Sequence, residues 1–209
     1  MRVVDPARHD ERRRAILRAA ARCIADKGFH AASTADIRTA AGVSTGTLFH
    51  YFPGKQAIAA AIVDLEGEEV RELLDGLAAD VAAGGSALAA LRHVLDAVVD
   101  HAADPANVRL ALELAAEAAR DSDLARHIAR NDAALQEGMR ALLATAAARR
   151  EAGADPTLDV RAAAAWIGVL IDGFFNRAAL DPGFRVGEQR AALHRLVASL
   201  IGSCSMGVR

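Results

Sequence analysis

The sequence predicts an all-α chain of about nine helices, an N-terminal three-helix helix-turn-helix domain followed by a larger C-terminal helical domain. Three observations carry this. Hydrophobic residues make up 53% of the 209 residues, much of that alanine and leucine, and both favour helix. Apolar positions recur at three- and four-residue spacing, and no stretch alternates with period two. Turn residues such as Gly28, Gly42, Pro53-Gly54, Gly84-Gly85 and Pro182-Gly183 cut the chain into helix-length pieces.

The first helix is expected from about Asp10 to Lys27, with Ile16, Leu17, Ala20 and Ile24 on one face. Gly28 stops it, as a left-handed C-terminal cap. Ser33-x-x-Asp36 reads as an approximate capping box for a second helix, whose inner face carries Ile37, Ala40 and Ala41. Gly42 ends that helix, and Ser44 caps a third that stops near Phe52, ahead of Pro53-Gly54. A long helix starts at Lys55 and runs to the Gly84-Gly85-Ser86 break; another covers Ser86 to about Ala103. Asp104-Pro105 opens a helix through Arg120, with proline in its first turn. Asp121-Ser122 begins a long one ending at Gly153, Asp155-Pro156 begins the helix holding AAAAWIGVLIDGFF, and a last helix spans roughly Gly187 to Ile201. The tail SCSMGVR has no packing pattern and is expected to fray.

Residues 1–55 carry ten Lys/Arg against five Asp/Glu, a net +5, while the rest carries fifteen against twenty-two, a net −7. A basic head on an acidic body suits a head that meets an anion, and the same excess also fits a solvated helix. The N-terminal MRVVDPARHDERRR lacks the apolar region of a signal peptide, and no run reads as a membrane span, so a cytoplasmic protein is expected. Cys23 and Cys204 stand far apart and are expected to be ordinary thiols. His93, His101 and His127 fall in no metal-ligand spacing, so no metal is expected. With no phosphate-binding glycine loop, nucleophile elbow or paired nucleophile and base, neither a catalytic site nor a cofactor is expected.

The second and third helices, joined at Gly42-Val43, form a helix-turn-helix pattern. Val43, Ile37 and Leu48 are placed to lock it against the first helix. Such a unit presents the N-terminal turn of its second helix to a DNA major groove, where free backbone N–H groups suit phosphate and base acceptors. Ser44, Thr45, Gly46 and Thr47 keep that turn small enough for close approach, and Thr47 has a hydroxyl and a methyl for base edges. Phe49, His50 and Tyr51 follow one turn later. Lys55 and Thr34 are in reach of phosphate, and Arg12, Arg13 and Arg14 either track the backbone or remain solvated. Phe49 either packs on a sugar or thymine methyl or completes the small core; His50 and Tyr51 also admit a plain packing role.

The stretch FHAASTADIRTAAGVSTGTLFHYFPGKQAIAAAI, residues 29–62, resembles the DNA-binding region of the TetR family of bacterial regulators. GVSTGTLFHYFPGK carries most of the likeness. The resemblance assigns Thr34, Ser44, Thr45, Gly46, Thr47, His50, Tyr51 and Lys55 to DNA. Position 49 is often tyrosine in the family, so Phe49 is a departure, and Gly54 replaces what is often a better capping residue. Residues 110–128 and 166–175 more softly resemble regulatory domains of the branch that includes the choline-responsive repressor.

The resemblance implies a DNA-binding domain over 1–55 and a ligand-binding and dimerisation domain over 56–209. In the family a ligand cavity lies among the middle helices; candidate walls are Leu65, His93, Leu114, Glu117, Met139, Trp166, Leu170 and Phe174. Those residues also fit ordinary core with a solvated Glu113/Glu117 edge. The last two helices are expected to pair with their symmetry mates through Ala162, Ala165, Ile167, Ile171, Leu193, Leu196, Val197 and Leu200. The expected protein is a homodimeric repressor that binds a near-palindromic double-stranded operator and is released by a small-molecule effector, with no membrane partner. Two alternatives remain at this point: a helical ligand-binding enzyme with a DNA-binding-like head, and a ligand-independent DNA-binding protein.

Overall fold

The computed structural model describes residues 6–202; Cys204 and the tail segment therefore lie outside the described residues. Within them the chain forms nine α-helices and one short 3-10 turn, with no strand. The helices are α1 Pro6–Lys27, α2 Thr34–Ala40, α3 Thr45–Tyr51, α4 Lys55–Ala82, α5 Ala87–Ala102, α6 Pro105–Ala118, α7 Ser122–Ala148, α8 Val160–Leu180 and α9 Arg190–Ile201. The all-helical expectation holds, and most boundaries fall where the caps place them. The Ser33 hydroxyl accepts from the Asp36 N–H, and the Asp36 carboxylate accepts in return from the Ser33 N–H. Ser44 and Ser86 cap α3 and α5 in the same way, accepting from Thr47 and Ala89 N–H. Gly28 (φ 82°) and Gly42 (φ 62°) occupy the left-handed region that their turns require.

Three boundaries differ from expectation. α1 begins one turn earlier, at Pro6, where proline is favoured because its missing N–H would have had no helical partner. α7 stops at Ala148, and Arg150 (φ 50°) and Gly153 (φ 100°) turn the chain out of helix. α8 then starts at Val160, because the Asp155 carboxylate is occupied by the N–H and hydroxyl of Thr157. Asp159 caps the helix instead, accepting from Arg161 and Ala162 N–H. α8 is also long and apolar enough to cross a membrane by length and composition, which corrects the sequence expectation. Its inner face, Ile167, Ile171 and Phe174, packs in a protein core.

The chain divides into two compact units, each built from separate stretches of sequence. The first comprises residues up to Glu69 together with Arg109–Asn131; the second comprises Val70–Val108 and the chain from Asp132. In the first, Ile16, Leu17, Ile24, Phe29, Ile37, Leu48 and Ile58 are essentially inaccessible to solvent. The second has its own core around Leu91, Leu95, Met139, Leu143 and Ile167. There Arg190 of α9 binds Asp96 (2.6 Å) and Asp100 of α5, and His194 Nε2 lies 2.8 Å from Asp96. The guanidinium, then the imidazole, holds the Asp96 carboxyl below the usual carboxylate range.

Candidate nucleic-acid interface

The mini-core is built as the sequence pattern requires except at the end of α2, where Ala40, expected on the inner face, is exposed and Ala41 half-buried. Ile37, Val43, Leu48 and Phe52 are all buried, which fixes α3 against α2 and α1. This orientation leaves the opposite face of α3 outward. Ser44, Thr45 and Gly46 are exposed and Thr47 is half-buried. A Cβ on Gly46 would meet only the Ser44 hydroxyl at 4.0 Å, so the first turn offers bare backbone to whatever approaches it. The hydroxyls of Ser44 and Thr47 lie 2.8 Å apart, and each keeps further hydrogen-bonding capacity. Thr34 is half-buried in the first turn of α2, and His50 is exposed.

The aromatic block divides in two. Phe52 is buried, with the Arg13 guanidinium 5.8 Å from its ring centroid. Phe49 stands 47% exposed, so it does not complete the mini-core and remains available on the outer face. Tyr51 is half-buried beneath His9 of α1, a residue the sequence reading left out, with ring centroids 4.6 Å apart.

Lys55 departs most from expectation. Its ammonium donates to the carbonyls of Phe29 (2.6 Å), His30 (3.2 Å) and Ala32 (3.0 Å), three acceptors for three N–H bonds. It also sits 4.6 Å from the centre of the Phe29 ring. The side chain is a brace for the α1–α2 loop, its hydrogen-bonding capacity filled from within the chain. On the same side of the head, Lys27 and Asp36 pair at 2.7 Å. That ammonium, then the Ser33 hydroxyl and N–H, holds the Asp36 carboxyl well below the usual carboxylate range.

A second set of contacts ties the head to α6. Arg109 Nε donates to Ala25 O (2.9 Å) and its terminal nitrogen reaches Asp26 (3.2 Å). Phe29 N–H donates to Glu113 Oε2 (2.7 Å). His30 Nε2 lies 3.1 Å from Glu117 Oε2, close enough for an ion pair, although that buried oxygen has no partner of hydrogen-bond geometry. Arg109, Glu113 and Glu117 are spaced four apart on one face of α6 and form a three-rung ladder onto the end of α1 and the loop after it. The four-residue spacing was visible in the sequence; its partners, more than eighty residues away, were not.

The candidate pocket walls fall in both units: Leu65, Leu114 and Glu117 in the first, and His93, Met139, Trp166, Leu170 and Phe174 in the second. His93 and Trp166 are exposed, Trp166 at 59%, whereas Leu65, Leu114, Glu117, Met139 and Phe174 are buried and Leu170 half-buried. Two surface depressions in the second unit, of about 480 and 350 Å³, are lined by none of these residues. Of the dimer candidates, Ile167, Ile171, Leu193 and Val197 are packed inside the second unit's own core. Ala162, Ala165 and Leu196 are exposed, and Leu200 is half-buried. The exposed stripe of α8 is instead Ala162, Trp166, Val169, Gly173, Asn176 and Leu180, at alternating spacings of four and three.

Residues 16–62 match the family model described as bacterial regulatory proteins, tetR family. Residues 87–202, more than half of the chain, match that of the BetI-type transcriptional repressor C-terminal region. No curated protein matches the chain. Among solved structures, GusR of Salmonella enterica is 26% identical with a TM-score of 0.72, covering 96% of this chain and 99% of its own. FadR of Bacillus subtilis, solved in complex with stearoyl-CoA, is 23% identical with a TM-score of 0.72, over 90% of this chain and 98% of its own. A TetR transcription regulator from Haloarcula marismortui is 17% identical with a TM-score of 0.78, over 92% and 99%.

Proposed function

Since the chain belongs to the tetR family of bacterial regulatory proteins and carries the C-terminal region of the BetI-type repressors, we propose that this transcriptional regulator is a cytoplasmic homodimeric repressor. It binds a near-palindromic operator through α2 and α3 and is released by a small-molecule effector held in the helical body. The observation that carries the reading is the first turn of α3. Ser44, Thr45 and Gly46 are exposed, with no side chain larger than threonine, on a helix locked from behind by Leu48 and Phe52. A major groove admits that turn, and its N–H groups and hydroxyls match phosphate and base-edge acceptors.

In this reading residues 1–55 contact DNA and 56–209 sense and dimerise, without a catalytic step. Thr34, Ser44, Thr45, Gly46, Thr47, His50 and Tyr51 form the contact set; Lys55 serves it by bracing the α1–α2 loop. The dimer face is drawn from Ala162, Ala165, Trp166 and Val169 of α8 with Leu196 and Leu200 of α9, apolar side chains that the protomer leaves at least partly accessible. Two copies are needed to read half-sites about 34–36 Å apart. An effector acts only by binding one head arrangement more tightly than the other.

The test is fluorescence anisotropy with DNA from upstream of the protein's own coding region at physiological salt. The expected result is saturable binding by two protomers per site, at least a thousandfold tighter than to unrelated DNA, an order of magnitude set by specific protein–DNA recognition. Indifference to sequence would sink the proposal.

A further inference from the structure

α1 begins ten residues, nearly three turns, ahead of Ile16, its first buried residue, and its first turn places one ring on the recognition helix. His9 lies over Tyr51, with centroids 4.6 Å apart and planes tilted by 34°. It meets His50 edge-on at 6.4 Å and 85°, while His50 and Tyr51 stand edge to face at 5.5 Å and 81°. Tyr51 in turn lies 6.2 Å from the buried Phe52. Four residues on from His9, one helical turn, Arg13 reaches the Phe52 ring. The start of α1 thus carries a two-residue clasp on the end of α3: a cation on the anchored ring and an imidazole on the ring beside it.

We propose that His9 is a positioning residue for DNA recognition, stacking on Tyr51 to hold its phenol, and the adjoining His50 imidazole, in the orientation that meets the DNA backbone. This rests on the reading of α3 as the recognition helix. Tyr51 is the last residue of α3, and the chain turns to extended backbone at Phe52. A ring at that point has no following helical turn to confine it. Contact with Phe52 on one side and His9 on the other restricts it. Aromatic pairs of this kind are worth enough to set a side-chain rotamer, about two- to tenfold in an equilibrium.

Tyr51 is the sole tyrosine of the chain, so its ring resonances report the stack without ambiguity. Three full-length variants, His9→Ala, His9→Phe and Tyr51→Ala, are compared by anisotropy with operator DNA and by NMR of tyrosine-labelled protein. Thermal melts check that each folds. His9→Ala is expected to weaken operator binding by about two- to tenfold per head and to shift the Tyr51 ring signals toward free-ring positions. His9→Phe, which keeps a planar ring but no nitrogen, is expected to restore both within about twofold, the lower end of the same range. Wild-type affinity for His9→Ala would overturn the proposal. So would a His9→Phe variant that restores the Tyr51 signals but not the affinity, because His9 would then act through its own nitrogens. If Tyr51→Ala binds operator as wild type does, Tyr51 is no contact and the positioning role falls with that part of the recognition surface. If no variant or wild-type protein binds any operator DNA, the recognition-helix reading itself has failed.

Discussion

Replacing Lys55 with methionine keeps an unbranched apolar side chain of similar length beside Phe29 and removes the charge with its three donors. The carbonyls of Phe29, His30 and Ala32 then lose their partner. The bonds to Phe29 and Ala32 are partly buried and the one to His30 is exposed, so two of the three carry most of the effect. At ~1.5–3 kcal/mol for a charged hydrogen bond, reduced for partial access to water, the loss is about 2–4 kcal/mol. In a chain of this size that lowers the melting temperature by roughly 5–15 °C. Circular dichroism melts measure it, and a salt titration of DNA affinity is run beside them. A phosphate-contacting lysine behaves oppositely: its removal leaves the melt unchanged and lowers the salt slope by about one. That pair of results would refute the bracing role and return Lys55 to the contact set.

Three further outcomes are expected. A Cβ on Gly67 of α4 would land on the Asn131 amide, which donates to Val63 O at 2.6 Å; Gly67→Ala should cost about 1–3 kcal/mol in a denaturant titration, and Asn131→Ala should recover part of it. Glu66 is half-buried on α4, where loss of water, and then Glu69 nearby, push its carboxyl up to about 7. The folded protein therefore holds a proton that the unfolded chain has released between about pH 4.5 and 7, so this group's contribution falls as pH rises through that window. Glu66→Gln should match wild type near pH 4 and be more stable at pH 8, by at most about 3 kcal/mol; parallel stability curves would exclude the effect. Trp166, the sole tryptophan, is 59% exposed in the protomer. If α8 forms the dimer face, Trp166→Glu should give half the mass in light scattering, and wild-type emission should move to longer wavelength on dilution.

Local chemistry made most of the fold legible. Ser33, Gly42, Ser44 and Ser86 act within four residues of themselves, and each cap or turn they signal is present. The same holds for the first turn of α3, whose small residues are consecutive. α8 was harder: with AAAAWIGVLI apolar on every side, composition does not say which face turns inward. One residue of phase, about 100° on a helix, separates buried Ile167 from exposed Trp166. Asp155-Pro156 looked like a cap, but the nearer hydroxyl of Thr157 competed for the carboxylate. The partners of Lys55, Arg109 and Glu113 lie 23 to 84 residues away, and single-sequence periodicity holds no information at that range.

The ladder from α6 also limits how the protein can be taken apart. A DNA-binding head cut at residue 55, or even at Glu69, would leave behind Arg109, Glu113 and Glu117. Ala25 O would lose a charged donor and Phe29 N–H its carboxylate acceptor. Joining a foreign head to this chain after the third helix would therefore set this chain's rungs against a loop they were not matched to. A transplantable head has to bring the 109–131 segment with it, although the two pieces are separated by some forty residues of chain that belong to the other unit.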